Sequence, residues 1–284
     1  MSINICIANA KGGVAKTTTA LNLGSALAKN GYQVCLIDND PQGGQLTKSL
    51  GINPMQQKYT LANLLFSVID DTNVEDYIEY CVLPVFDYEE GLFCIPSNKK
   101  LAGAAARLLS IKNSEPILGD TGDIIRCEYI MQSIVAQLDR RFDYIIIDCG
   151  PSLDMLTINA LVAADQVIIP VQAHYLAEEG LIAFLDTVRN VKASLNPSLK
   201  IGGILLTMYQ SQTNLCRYVR EDIEEKYGAM FHVFNTPIAY SVKVAEHPAL
   251  KRSIFSHDPK NPAAAAYMDM VREVIDYDEK RSCS

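Results

Sequence analysis

The segment Asn9-Ala10-Lys11-Gly12-Gly13-Val14-Ala15-Lys16-Thr17-Thr18 decides how this chain is read. It follows an apolar run over residues 3–8 and opens a helical pattern over residues 17–30 that Gly31 closes. A strand, a glycine-rich turn and a helix, in that order, form the setting in which a backbone wraps phosphate groups. Glycines let successive N–H groups point inward, and the helix N-terminus adds partial positive charge. In such a loop Lys16 reaches the β- and γ-phosphates of a nucleotide, and Thr17 offers its hydroxyl to Mg²⁺.

Further apolar runs of strand length occur at residues 34–37, 92–95, 144–147, 167–171 and 204–208. Runs without polar alternation suit strands covered on both faces. Between them, Leu181, Phe184, Leu185, Val188, Val191 and Leu195 recur at helical spacing, as do Leu215, Val219, Ile223 and Tyr227 ahead of Gly228. The pattern predicts an α/β fold: a doubly wound, mainly parallel sheet with helices on both faces. Residues 53–90 mix short apolar clusters with acidic pairs, and their order of elements stays open. The 284 residues are expected to form a single domain, 1–284, which opens on its first strand with no N-terminal helix-turn-helix module.

With 33 acidic against 25 basic residues the net charge is -8, so any contact with nucleic acid must come from a local patch. The eight cysteines include no Cys-x-x-Cys pair and read as buried reduced thiols rather than as a metal or redox site. No signal-peptide pattern and no apolar stretch of membrane-spanning length is found, which points to the cytoplasm.

Against the phosphate-loop spacing G-x-x-x-x-G-K-[ST], the chain carries Ala10 and Ala15 at the two glycines. It instead resembles the deviant Walker A motif, K-G-G-x-x-K-[ST]-[ST], of the ParA and MinD superfamily of dimeric P-loop ATPases. Residues Lys11, Gly12, Gly13, Val14, Ala15, Lys16, Thr17 and Thr18 match it at every fixed position. The resemblance implies that these eight residues surround ATP with Mg²⁺. It also implies a homodimer that closes on ATP, with Lys11 crossing to the partner's nucleotide. Most members have Gly where this chain has Ala15, and an alanine forced into an unusual backbone angle there costs about 1 to 3 kcal/mol.

The second apolar run ends in Asp38-Asn39-Asp40-Pro41-Gln42-Gly43, similar to the family pattern D-x-D-P-Q-G. By that match Asp40 positions the attacking water, giving Lys11, Lys16 and Asp40 as the catalytic set. Asp38 is either a supporting acid or an ordinary strand-end acid. Asp148 follows Tyr144-Ile145-Ile146-Ile147 in the form of a Walker B strand, which would hold Mg²⁺ through its water shell, so Thr17, Asp40 and Asp148 are the metal candidates. Gly150-Pro151-Ser152-Leu153 and the residues to Leu161 resemble the partition-ATPase pattern C-P-P-S-L-x-x-L-T-x-N-A-L, with Gly150 at the first proline. Thr207, Met208 and Pro237 lie where the family contacts the adenine base.

Within the superfamily, a MinD-like membrane helix would need a basic face. The C-terminal residues from Tyr267 to Glu279 have an acidic one, so a core-facing helix and no membrane partner are expected. An iron-sulfur bridge would need cysteines such as Cys127 or Cys149 in surroundings that are not found. The resemblance to ParA-type partition ATPases implies slow ATP hydrolysis stimulated by a ParB-like centromere-binding protein, with the ATP-bound dimer held on the nucleoid by non-specific DNA. Candidate phosphate contacts are Arg189, Lys192, Arg217, Arg220, Lys243, Lys251 and Arg252, each of which is otherwise a solvated surface charge. The family's P-R-N-V-R-x-x-E-A-P pattern appears here over Pro237-Ile238 to His247-Pro248, with Ile238 in place of an arginine. Two rivals stand beside this expectation: an ATP-binding regulatory or positioning switch that recruits a protein, and a P-loop ligase or kinase of small molecules.

Overall fold

A computed structural model describes residues 1–86, 88–113, 117–118, 124–174, 177–246 and 250–282. The strands are β1 (Ile3–Ile7), β2 (Val34–Asn39), β3 (Leu83–Pro84), β4 (Leu92–Ile95), β5 (Ile117–Leu118), β6 (Ile124–Ile125), β7 (Tyr144–Cys149), β8 (Gln166–Gln172) and β9 (Lys200–Thr207). Seven of them make one sheet in the order β3-β4-β2-β7-β1-β8-β9. Every neighbouring pair in it is parallel except β3 with β4, and β5 and β6 form a separate antiparallel pair.

Parallel strands need long crossovers, and helices supply them on both faces. The helices are α1 (Lys16–Lys29), α2 (Gln45–Ser49), α3 (Leu61–Ile69), α4 (Glu75–Cys81), α5 (Lys100–Lys112), α6 (Ile130–Leu138), α7 (Met155–Ala163), α8 (Ala177–Ser194), α9 (Asn214–Tyr227), α10 (Val242–Glu246), α11 (Ile254–His257) and α12 (Pro262–Ser282). Because strand side chains alternate, Ile5, Ile7, Leu36 and Ile146 fall on the side packed by α1, α11 and α12. Cys6, Ile37, Ile145 and Ile147 fall on the side packed by α3 and α5 to α9. The doubly wound architecture expected from the apolar runs is the one observed.

α1 begins one residue earlier than its sequence pattern and ends where Gly31 takes φ 92°, a backbone angle that costs glycine little. The expected closure by Gly228 takes another form. α9 stops there with Gly228 at φ -62°, right-handed, so no left-handed turn ends that helix. β2 and β7 run two residues past their aliphatic runs, which draws Asp38, Asn39, Asp148 and Cys149 into the sheet. β9 starts at Lys200 and stops at Thr207, and Met208 turns away at φ 51°. Residues 53–90 resolve into a 3-10 turn (Pro54–Gln56), α3, α4 and the antiparallel edge strand β3. α12 lays Ala263, Tyr267, Met270, Val271 and Val274 against the core rather than outward, as its acidic outer face suggested. Burying a large side chain such as Tyr267 contributes about 1.5–3 kcal/mol. No helix among the described residues is long and apolar enough to cross a membrane. All seven described cysteines are buried and unbridged, and Cys283 lies outside the described residues.

Candidate functional site

The phosphate-loop segment leaves the carboxyl end of β1 in the middle of the sheet. Asn9 shapes its first turn: its side-chain nitrogen donates to the Pro170 carbonyl at 2.8 Å, and its oxygen accepts from the Lys11 N–H at 3.0 Å. Gly13 takes φ 72°, and Ala15 takes φ 65° and ψ 31°, so the residue read as strained does occupy the left-handed region. Among the described residues no side chain caps the N-terminus of α1, and no acid lies in its first turn, which leaves its amides to an anionic ligand. Lys16 is buried, and its ammonium donates to the Lys11 carbonyl at 2.8 Å, folding the side chain back over the loop. Burial lowers its pKa, while the nearby charges of Asp148, Cys149 and Asp40 work the other way.

Beneath the loop, neighbouring strands bring acids together. Asp38 on β2 is the register partner of Asp148 on β7, and Ile7 on β1 flanks Asp148 from the other side. Asp38 Oδ2 accepts from both the backbone N–H of Thr47 at 2.8 Å and its hydroxyl at 2.6 Å. Burial nonetheless raises its pKa to about 6, against the lowering effect of those bonds. Asp40 is buried as well, and its Oδ1 accepts from the Gln42 N–H at 2.9 Å, so it also shapes its own turn. Asp148 is fully buried, and neither carboxylate oxygen has a hydrogen-bond partner among the described residues. Burial holds its pKa well above the usual carboxylate range, reinforced by the charge on Asp38. The Thr17 hydroxyl comes near enough to oppose that shift without completing a bond of ordinary geometry. A buried, unpartnered carboxylate beside a threonine and a lysine suits a hard cation such as Mg²⁺, which takes oxygen ligands and few protein groups.

At the other side of the loop the Thr207 hydroxyl donates to the Val14 carbonyl at 3.1 Å, tying the end of β9 to the phosphate loop. The Ile238 N–H donates to the Leu206 carbonyl and the Tyr209 N–H to that of Ile238, so Pro237 lies beside Thr207 and Met208. Thr207 is fully buried and its hydroxyl is already engaged, while Met208 and Pro237 are half-buried. Ile238, where the family pattern has arginine, faces the core. His247 and Pro248, the end of that pattern, lie outside the described residues. Gly150 lies so near Asp40 that a Cβ there would be 3.1 Å from Oδ1.

The basic candidates do not form one open patch. Arg189 pairs with Asp186 at 3.1 Å, Arg220 with Glu224 at 2.7 Å and Lys243 with Asp258 at 2.9 Å. Arg217 donates to the Asn214 side chain at 2.7 Å. Arg189 and Lys192 line one cavity between α8 and the end of α9, whereas Lys251 lines a different one with Lys48 and Lys99; Arg252, exposed beside Lys251, lines neither. Sequence reasoning missed Lys48, Lys99, Thr47 and Ser97. The Thr47 hydroxyl that holds Asp38 also accepts from the Ser97 N–H at 2.9 Å, a three-way link across segments that no local pattern announces. Only Asn9, two residues before Lys11 in a strand-to-loop turn, carried a readable signal.

Residues 2–201 match the family model described as AAA domain. The chain is 39% identical over 270 residues to the sporulation initiation inhibitor protein Soj of Bacillus subtilis, covering 95% of this chain and 97% of that one. It is 37% identical over 277 residues to the chromosome partitioning protein ParA of Caulobacter vibrioides, covering 98% and 95%. Among solved structures, cobyrinic acid a,c-diamide synthase of Mycobacterium smegmatis, bound to an ATP analogue and magnesium, superposes with a TM-score of 0.76 at 34% identity, over 96% of this chain and 93% of that one.

Proposed function

The chain belongs to the family of Soj and ParA chromosome-partitioning proteins, and from that premise we propose that it is a Mg²⁺-dependent partition ATPase working as a single domain. What carries the reading is one meeting of groups. The uncapped start of α1, the folded-back Lys16 and the unpartnered Asp148 converge at the carboxyl edge of the sheet, where open α/β folds take their ligands.

The loop amides from Gly12 to Thr18 and the Lys16 ammonium bind the phosphates of ATP, with Thr17 and Asp148 holding Mg²⁺. The bound cation neutralises charge on the phosphates. Asp40 orients water for attack, which suffices because phosphoryl transfer depends on positioning and electrostatics more than on covalent help. Lys11, half-buried at the mouth of the loop, completes the site of a second copy when two chains close on ATP. The dimer then holds non-specific DNA through lysine and arginine contacts to phosphates, and a ParB-like protein speeds hydrolysis and release, so that the protein alternates between nucleoid and cytosol. The basic candidates on α8 and α9, with Lys243, Lys251 and Arg252, are the first residues to test for that contact.

Gel shift with random duplex DNA, at modest salt and with ADP, ATP or a non-hydrolysable analogue, tests the partition reading. Binding that requires the triphosphate supports it, and equal or absent binding in all three states removes it. A small-molecule synthase, the name carried by the M. smegmatis structure, would instead hydrolyse ATP only with its acceptor and ignore DNA.

A further inference from the structure

A cavity of about 550 Å³ opens beside the loop that follows Asp40. Lys48, Lys99 and Lys251 line it together with Gln42, Ile52 and Met55. These lysines come from α2, the start of α5 and the segment before α11, and are brought to one place only by the fold. Among the described residues none of the three side chains makes a hydrogen bond or an ion pair, whereas Arg141, Lys226 and Lys243 each hold a carboxylate. Three exposed ammonium groups thus line one concavity without a carboxylate partner among the described residues, in a molecule whose net charge of -8 offers acids in plenty.

The backbone gives these side chains their places. Gly43 and Gly51 take φ 110° and 79°. The Lys48 ammonium lies 3.6 Å from where a Cβ on Gly43 would be, and Lys251 Cδ lies 3.0 Å from where one on Gly51 would be. Each glycine therefore leaves a bed on which a lysine rests, and any side chain at Gly51 would push Lys251 aside. Lys251 itself sits at φ 55°, left-handed in a residue that gains nothing from it, which is how the chain turns that side chain toward the cavity.

We propose that this cavity is a second anion site, separate from the phosphate loop. It takes the phosphate or pyrophosphate end of a small phosphorylated molecule, whose apolar part lies against Ile52, Pro54 and Met55. Compact ammonium groups from separate segments serve phosphate as point charges. An open concavity of this size fits the end of a ligand of nucleotide size better than the convex backbone of a duplex. The rim residue Gln42 donates its N–H to Asp40 at 2.9 Å, so an occupant presses on the turn that carries that carboxylate.

Calorimetry with inorganic pyrophosphate tests the site, comparing the full chain with its Lys48→Ala/Lys99→Ala/Lys251→Ala variant, both saturated with ADP and Mg²⁺. The readout is the difference between the two proteins, so whatever the phosphate loop binds cancels. Wild type is expected to bind pyrophosphate with an affinity that falls as salt rises, and the triple variant to lose about a hundredfold, with Lys251→Arg keeping most of it. These lysines are exposed, and an unchanged melting temperature of the triple variant checks its fold. Equal binding by the two proteins overturns the proposal. So does a short DNA duplex that binds wild type through these lysines when pyrophosphate does not.

Discussion

Asp38 and Asp148 stand opposite one another across β2 and β7, yet only Asp38 has its carboxylate hydrogen-bonded, by Thr47 at 2.8 and 2.6 Å. The uncompensated charge is therefore concentrated on Asp148. Replacing it by Asn should stabilise the protein free of nucleotide and metal by roughly 1–2 kcal/mol, because an unpartnered amide is less costly to bury than an unpartnered carboxylate. The same change should abolish the extra stabilisation that Mg²⁺ adds to ATP. Thermal melts with and without Mg-ATP decide it. A less stable free variant that still responds fully to Mg²⁺ contradicts the role given to Asp148.

Asp38 sets a pH dependence. Its folded pKa of about 6 exceeds the ordinary 3.8, so between those values the folded state holds more protons than the unfolded one, and stability must fall as pH rises through that window. The effect amounts to roughly 3 kcal/mol at most. Denaturant melts of metal-free protein from pH 4 to 7 should show this slope, and Asp38→Asn should reduce it, leaving the part that the raised pKa of Asp148 contributes with the same sign. A slope of undiminished size in Asp38→Asn would assign the whole effect to Asp148 or another group.

Ala15 occupies φ 65° at the N-terminus of α1, where Gly meets no steric cost. Ala15→Gly should raise stability by about 1 kcal/mol, the left-handed penalty of alanine outweighing the greater freedom of glycine in the unfolded chain. Nucleotide affinity should hold or improve. A lower melting temperature would mean that the Ala15 methyl makes a packing contribution larger than its strain.

Lys16→Ala and Asp40→Ala should separate binding from turnover. Loss of Lys16 removes both the phosphate contact and the link to the Lys11 carbonyl, and titration calorimetry should find no ATP binding. Asp40→Ala should bind ATP within a few-fold of wild type while hydrolysis falls by about a hundredfold or more, the scale on which misplaced reactants slow. An Asp40→Ala protein with undiminished turnover would place the water elsewhere.

Local chemistry explains which parts of this molecule could be read in advance. The phosphate loop and its flanking strand and helix lie within thirty consecutive residues, and their glycines, lysines and apolar runs name their own geometry. The acids at the ends of β2 and β7 were visible for the same reason, although the sheet extends past the aliphatic runs to enclose them. The link from Asp38 through Thr47 to Ser97 was not visible, because it joins three segments whose approach depends on the finished core. Residues 53–90 were obscure because α3 and α4 are too short to show several turns of apolar spacing and are held by packing rather than by propensity. The basic residues on α8 and α9 could be placed on outward faces by period alone, but their pairing with Asp186 and Glu224 depends on side-chain geometry.

The central place of β1 bears on how the protein is made. Its neighbours in the sheet are β7 and β8, so a nascent chain exposes Ile5 and Ile7 with no strand to join until residues 144–172 have left the ribosome. At roughly 5–20 residues per second that delay is about ten seconds or more. The loop translated first is thus completed late, and truncated products ending before β7 should be substrates for chaperones and proteases rather than partial nucleotide binders.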